Sequence, residues 1–326
     1  MKKKIMPLAI AAFAALFLYF IYIANNGLFV AEKTELIEIS KGTAGDEITE
    51  ILKEKGIIKN KFMFKLNTKI RNAGYFKNGT GKFSSKMSYG EIIDVLVNKM
   101  QNNVKVTIPE GYELHQIISL LSEKLELSED ELYSEAETGI FDYDFIAGLP
   151  AGKYRLEGYI FPETYIFEKG TDAHTALDTC LRQFSLEYTD EYRKRAEELG
   201  YTTHEIITLA SIIERECNTD RELVSSVFHN RLNSNQFQYL ESCSTVIYVT
   251  KNPKPRLTAE DIKVDSPYNT YINKGLPPGP IGAPGRESLH AALYPAETEY
   301  YYFSDMGGGK NSFSKTYEEH LEKNRG

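Results

Sequence analysis

Twenty consecutive residues without a charge, Ile5 to Ala24 (IMPLAIAAFAALFLYFIYIA), constrain this chain more than any other feature. As a helix rising about 1.5 Å per residue they reach about 30 Å, the thickness of a bilayer's hydrocarbon core. Lys2, Lys3 and Lys4 precede the run, which places residues 1–4 in the cytoplasm and the rest of the chain outside. Tyr19 and Tyr22 stand near the outer end, where an aromatic belt belongs. The rival reading is a cleaved signal peptide. Cleavage takes small residues at alternating positions, which Tyr22-Ile23-Ala24 supplies poorly, and no lipobox cysteine follows. The expectation is a single-pass cell-membrane protein with a transmembrane helix at 5–24, a linker at 25–33 and an extracytoplasmic C-terminal part.

Of the 326 residues, those beyond the anchor suffice for one large core or two smaller ones. Apolar content of 42% beside 26% charged residues is that of a folded chain. A net charge of -8, with no basic stripe after the first four residues, excludes nucleic acid as the main partner. Three cysteines, Cys180, Cys217 and Cys243, define neither a disulfide framework nor a zinc site, and their spacing does not decide whether Cys217 and Cys243 pair. The six histidines lack metal-ligand spacing, so no metal is expected. The 22 tyrosines beside no tryptophan suit carbohydrate contacts and packed sheet edges equally.

Along the chain, a strand-like IEIS (37–40), Gly42 and a helix bearing Ile48, Ile51 and Leu52 are echoed sixty-nine positions later. The echo is VTIP (106–109), Gly111, then Ile117, Leu120 and Leu121; Lys55 matches Lys124. Two such strand-turn-helix units could bury each other's apolar faces. Between them Ser88 starts a helix (YGEIIDVLVNKM). Residues 34–125 therefore read as a small α+β region, whose strand-helix units resemble LysM-type glycan-binding modules. A connecting region, 126–155, holds an acidic helix (SEDELYSEAE) and a loop at Gly148, Pro150 and Gly152. The remainder, 156–326, mixes a strand-like GYIFPETYIF, helices near 204–217 and 220–233, a Pro/Gly-rich run at 266–285 and a strand-like YYYFS. Without βαβ alternation the class is α+β.

The segment TTHEIITLASIIERECN (202–218) carries the chemistry. Thr202 with Glu205 three residues on is a capping box. On a helical wheel Glu214 falls about 80° from Ile206, inside the apolar arc, and Arg215 about 180° away on what should be the wet face. A carboxylate in an apolar arc is costly to ionise, and a protonated acid is what glycosidic cleavage requires. The alternative is a structural Glu at the core's edge, paired with an arginine. Glu216 is a weaker second candidate. The hydroxyl-rich LESCSTVIY (240–248) and the rigid SPYNTYINKGLPPGPIGAPG (266–285) suit an extended polysaccharide or a structural cap.

LEGYIFPETY (156–165), LASIIERE (209–216), SVFHNRL (226–232), STVIY (244–248), SPYNTY (266–271), GLPPGPIGAPG (275–285) and the terminal YYYF with FSKTYEEH stand in one order. Together they resemble the endolytic murein transglycosylases, the MltG or YceG-like family. The resemblance covers about residues 35–325 and implies a LysM-like subdomain followed by a YceG-like catalytic domain. It implies Glu214 as the catalytic acid of a lytic, not hydrolytic, cleavage, and no cofactor. As acid, Glu214 would protonate the oxygen between N-acetylmuramic acid and N-acetylglucosamine. As carboxylate it would take the proton of the muramic 6-hydroxyl while that oxygen attacks C1, leaving a 1,6-anhydro end. The nucleophile lies within the substrate, so no second carboxylate need hold a water, unlike the usual glycosidase pair.

Softer implications are substrate-binding or supporting roles for Glu163, Glu216, Thr245, Tyr248, Tyr268, Asn269 and Thr270. Two departures stand out: Cys243-Ser244 where many members have Asp-Pro, and Asn311 where many have His. The competing readings are a membrane-tethered scaffold that holds glycan and recruits cell-wall synthases, and a water-using glycosidase with a second carboxylate near Glu214.

Overall fold

The computed structural model describes Tyr19 and residues 33–237, 239–252, 257–307 and 310–323. Apart from Tyr19, the expected transmembrane helix lies outside the described residues, among which no helix is long and apolar enough to cross a membrane. The chain divides into two compact units, Met1–Val104 and Lys105–Gly326.

In the first unit, β1 (Thr34–Ile39) pairs antiparallel with β2 (Gly79–Ser84), from Thr34 opposite Ser84 to Ile39 opposite Gly79. Alternation turns Ile37 and Ile39 inward, the period-2 signature of a half-buried strand. Between the strands run α1 (Gly45–Glu54) and α2 (Lys61–Ile70). After β2, Ser88 starts α3 (Tyr89–Asp94) through a reciprocal capping box with Glu91. That helix closes in a π-turn, Val95–Lys99, rather than continuing α-helical to Met100. One core joins Ile37, Ile48, Leu52, Phe64, Phe83, Ile92 and Leu96.

The second unit contains β3 (Asn103–Thr107, its end), α4 (Leu114–Leu125), α5 (Glu129–Thr138), β4 (Thr164–Glu168), α6 (Ala173–Glu187) and α7 (Asp190–Leu199). It continues with α8 (Thr203–Glu216), α9 (Arg221–Leu232), α10 (Cys243–Thr250), α11 (Arg286–Leu293), the antiparallel hairpin β5 (Tyr302–Asp305) and β6 (Asn311–Ser314), and α12 (Tyr317–Lys323). β3 pairs with β4. The α+β class is observed. At the centre, α8 is buried at every position from Ile206 to Ile213 and packs against α7, α9, α10 and α11. Eight consecutive buried positions span more than two turns, so this stretch of the helix is covered on every side.

The compact units divide at Val104 and Lys105. The two echoed strand-turn-helix segments thus fall in different units, and the first unit's core contains no residue of α4. GYIFPETYIF is a strand only from Thr164, because Tyr159, Ile160 and Phe161 are buried in succession as the chain leaves a turn through Gly158, whose φ is +82°. Arg215 does not stand free on a wet face: its side chain is 18% exposed and its guanidinium is bonded to Glu113 and to the Ile281 carbonyl.

Leu52 is fully buried in the first unit and Ile140 is 90% exposed in the second. Leu52→Ala should cost about 2–5 kcal/mol and Ile140→Ala no more than about 0.5 kcal/mol, as read from urea unfolding of each variant.

Candidate active site

Thr202 caps α8 as the sequence requires. Its hydroxyl accepts from the Glu205 N–H at 3.2 Å, and the Glu205 carboxylate accepts from the Thr202 N–H at 2.8 Å. Along α8 lies the Pro/Gly-rich loop, fastened at four levels. His204 Nε2 donates to the Pro278 carbonyl at 2.9 Å, and Ser211 Oγ accepts from the Ile281 N–H at 3.0 Å. The Arg215 guanidinium donates to the Ile281 carbonyl at 2.7 Å. Finally the Gly285 N–H donates to Glu214 Oε2 at 2.9 Å.

Glu214's other oxygen accepts from Arg221 Nη2 at 3.2 Å, and the Glu214 side chain is only 6% exposed. Arg221, the first residue of α9, is held in turn by Ser288 Oγ at 3.0 Å and by Glu287 at 2.5 Å. A cleft of about 650 Å³ opens beside it, lined among others by Asn218, Arg221, Arg286, Glu287 and His290. The arginine pairing foreseen for a structural Glu is therefore present, and the arginine that makes it, Arg221, lines the cleft.

The other candidates separate into groups. Glu163 accepts from the Thr164 N–H at 2.9 Å and from Arg286 at 2.9 Å; the amide and then the guanidinium hold its carboxyl below the usual carboxylate range. Arg286 follows Gly285, so Glu163 stands on the Glu214 side of the site. Glu216 turns elsewhere, accepting from Ser242 Oγ and from the Ser244 N–H at 3.1 Å, where it satisfies the N-terminus of α10. Thr245 and Thr270 bond to each other at 2.9 Å. Asn269 donates to the Ile262 and Val264 carbonyls at 2.9 and 2.8 Å. All three are essentially inaccessible, so their geometry is that of supports rather than of groups that touch a ligand. Tyr248 and Tyr268 pack ring against ring at 5.1 Å.

The Tyr248 hydroxyl donates at 3.1 Å to Glu157, a carboxyl the sequence reading overlooked. Glu157 also accepts from the Leu114 N–H at 2.8 Å, and complete burial pushes its pKa up to about 8. Beside it Glu113, 7% exposed, is paired with Arg215 at 2.8 Å and with Lys251. Among the described residues no cluster of three or more His, Cys, Asp or Glu could hold a metal. Cys180, Cys217 and Cys243 are all free thiols, and burial pushes Cys217 up to about 12.

Residues 37–326 match the YceG-like family. The chain belongs to that family. It is 31% identical over 306 residues to the endolytic murein transglycosylase of Bacillus subtilis (strain 168), covering 89% of this chain and 84% of that protein. It is 28% identical over 320 residues to the endolytic murein transglycosylase of Streptococcus pneumoniae serotype 2 (strain D39), covering 89% of this chain and 58% of that protein. The crystal structure of a YceG-like protein from Listeria monocytogenes matches with a TM-score of 0.61 at 32% identity, over 89% of this chain and 98% of that one.

In this YceG-like chain the sequence reading missed Glu110, Arg221 and Gly285. Glu110 had a signal: the echo that aligns Gly42 with Gly111 sets Lys41 against Glu110, a carboxylate where the other copy has a lysine. Of the two departures, Cys243 contacts the Tyr271 hydroxyl at 3.1 Å, and Asn311 donates to the Thr219 carbonyl at 3.3 Å, two residues before Arg221.

Glu157 supplies a pH prediction. Its folded pKa lies above the ordinary 4.5, so the folded state binds more protons than the unfolded state between about 4.5 and about 8. Stability falls with rising pH across that window and levels off above it. Melting temperatures at pH 5 and pH 8 should therefore drop less for Glu157→Gln than for the parent chain; equal drops would remove Glu157 as the cause.

Proposed function

We propose that this chain is an endolytic murein transglycosylase that cuts the bond between N-acetylmuramic acid and N-acetylglucosamine within peptidoglycan strands and leaves 1,6-anhydro ends. The observation that carries the reading is Glu214, a nearly buried carboxyl held between the Gly285 N–H and Arg221, the latter lining a cleft of about 650 Å³. The relatives' names supply the reaction class. Cleavage with internal attack requires two proton transfers, one onto the leaving oxygen and one off the muramic 6-hydroxyl. In the single-carboxyl form of the reaction, Glu214 performs both in turn. Arg221 and the Gly285 N–H fix the carboxyl's direction, which matters because a misplaced catalytic group loses the benefit of proximity.

The setting fits an enzyme working on the outer membrane face of its own anchor. Residues 5–24 would hold the chain in the membrane, with the C-terminal part extracytoplasmic. The first unit would hold glycan as a LysM-like module. Its β1-α1-α2-β2 order and a groove of about 590 Å³ lined by Gly42, Thr43, Lys65, Lys69, Tyr75 and Phe76 support that role.

The test is mass spectrometry of products from the full chain in detergent on uncrosslinked peptidoglycan. The parent chain should yield anhydro ends inside strands, and Glu214→Gln should lower the rate by about 100-fold or more. Reducing ends would point instead to a water-using glycosidase. No cleavage by a folded chain that still binds glycan would favour the scaffold that recruits cell-wall synthases.

A further inference from the structure

A second carboxyl stands at the Glu214 site. Glu110 lies on the turn between β3 and α4, and that turn is clamped to the loop that serves Glu214. The Gly111 N–H donates to the Ala283 carbonyl and the Ala283 N–H to the Tyr112 carbonyl, both at 2.8 Å. Gly111 takes the left-handed conformation (φ +73°), which directs the chain from Glu110 onto this ladder. The approach is so close that a β-carbon on Gly282 would stand 2.8 Å from the Gly111 carbonyl oxygen. One on Gly285 would overlap the Glu110 carboxyl itself. The glycine whose N–H binds Glu214 is thus also the glycine on which Glu110 rests. The Glu214 stem lies on the other side of the same turn, 3.9 Å from where a β-carbon of Gly111 would be.

The two carboxyls have opposite surroundings. Glu214 is nearly buried, with an arginine on one oxygen and an amide on the other. Glu110 is exposed, and among the described residues no hydrogen bond or ion pair is recorded for it. Partial burial, then the neighbouring Glu214 charge, push the Glu110 pKa above its ordinary value; Glu287 acts in the same direction, while Arg221 and Arg286 oppose. Two titratable groups whose environments differ in this way divide acid from base in other enzymes.

We propose that Glu110 is the proton donor of the cleavage and Glu214 its base. The Glu110 carboxylic acid passes its proton to the glycosidic oxygen as the C1–O bond breaks. The Glu214 carboxylate takes the proton of the muramic 6-hydroxyl as that oxygen forms the new bond to C1. One bond breaks and one forms, no water is consumed, and return of a proton from Glu214 to Glu110 through solvent resets the site. The division rests on the lytic reading above and deepens it, because each transfer then has its own group and neither carboxyl must reverse its role while substrate is bound.

The experiment is the pH dependence of kcat and KM for the full chain in detergent on uncrosslinked glycan strands. It compares the parent with Glu110→Gln, Glu110→Asp and Gly285→Ala, with product ends identified by mass spectrometry. For Glu110→Gln, kcat should fall at least about 100-fold, and the alkaline limb of its pH profile should disappear. KM should stay within about threefold, since binding is not what is removed. Glu110→Asp should recover part of the rate together with the limb. Gly285→Ala, whose φ of -80° suits alanine, should displace the Glu110 side chain and lower kcat with little change in melting temperature. Adding Glu110→Gln to it should cost nothing further. An unchanged kcat in Glu110→Gln, a loss confined to KM, an unmoved alkaline limb, or additive losses in the double variant each overturn the assignment. Anhydro ends from the residual activity leave the lytic reading standing in those cases; reducing ends from the parent chain would strike that reading instead.

Discussion

Everything at the site depends on the fastening of one loop to one buried helix. Residues 278–285 run along α8 from His204 to Glu214, held by a ring nitrogen, a hydroxyl, a guanidinium and finally the Glu214 carboxylate. Each partner on α8 is a polar side chain in or at the edge of the interior, so each would lose one hydrogen bond there if the loop moved away. The loop can lie this close because Gly282 and Gly285 present no side chain toward the turn at 110–112. That closeness brings two segments far apart in sequence to the same carboxyl.

The charges below the site obey the same economy of pairing. Glu113 is nearly inaccessible, and a lone carboxylate there would be untenable; Arg215 and Lys251 answer it. Arg215 spends its remaining reach on the Ile281 carbonyl, so one ion pair also anchors the loop. Glu157 has no cation in contact, only an amide and a phenol, and it responds by holding its proton to about pH 8. Glu216, next but one to Glu214, shows how position on a helix divides labour: it faces Ser242 and the Ser244 amide and so joins α8 to α10.

The sequence alone determined the features that depend on near neighbours. The capping box at Thr202, the helix start at Ser88, the strand at Ile37–Ile39 and the near burial of Glu214 were all readable. Each arises from a spacing of two to four residues, which the local backbone period converts directly into geometry. Tertiary structure alone decided the rest. Whether Arg215 met water, whether Thr245 and Asn269 were surface or interior, and whether the echoed segments shared a core depended on partners tens of residues away. So did the place of Glu110, which only the meeting of its turn with a loop about 170 residues later could reveal. A side chain's chemistry is written in its own position, but its neighbours in space are set by how the whole chain excludes water, and no local spacing encodes that.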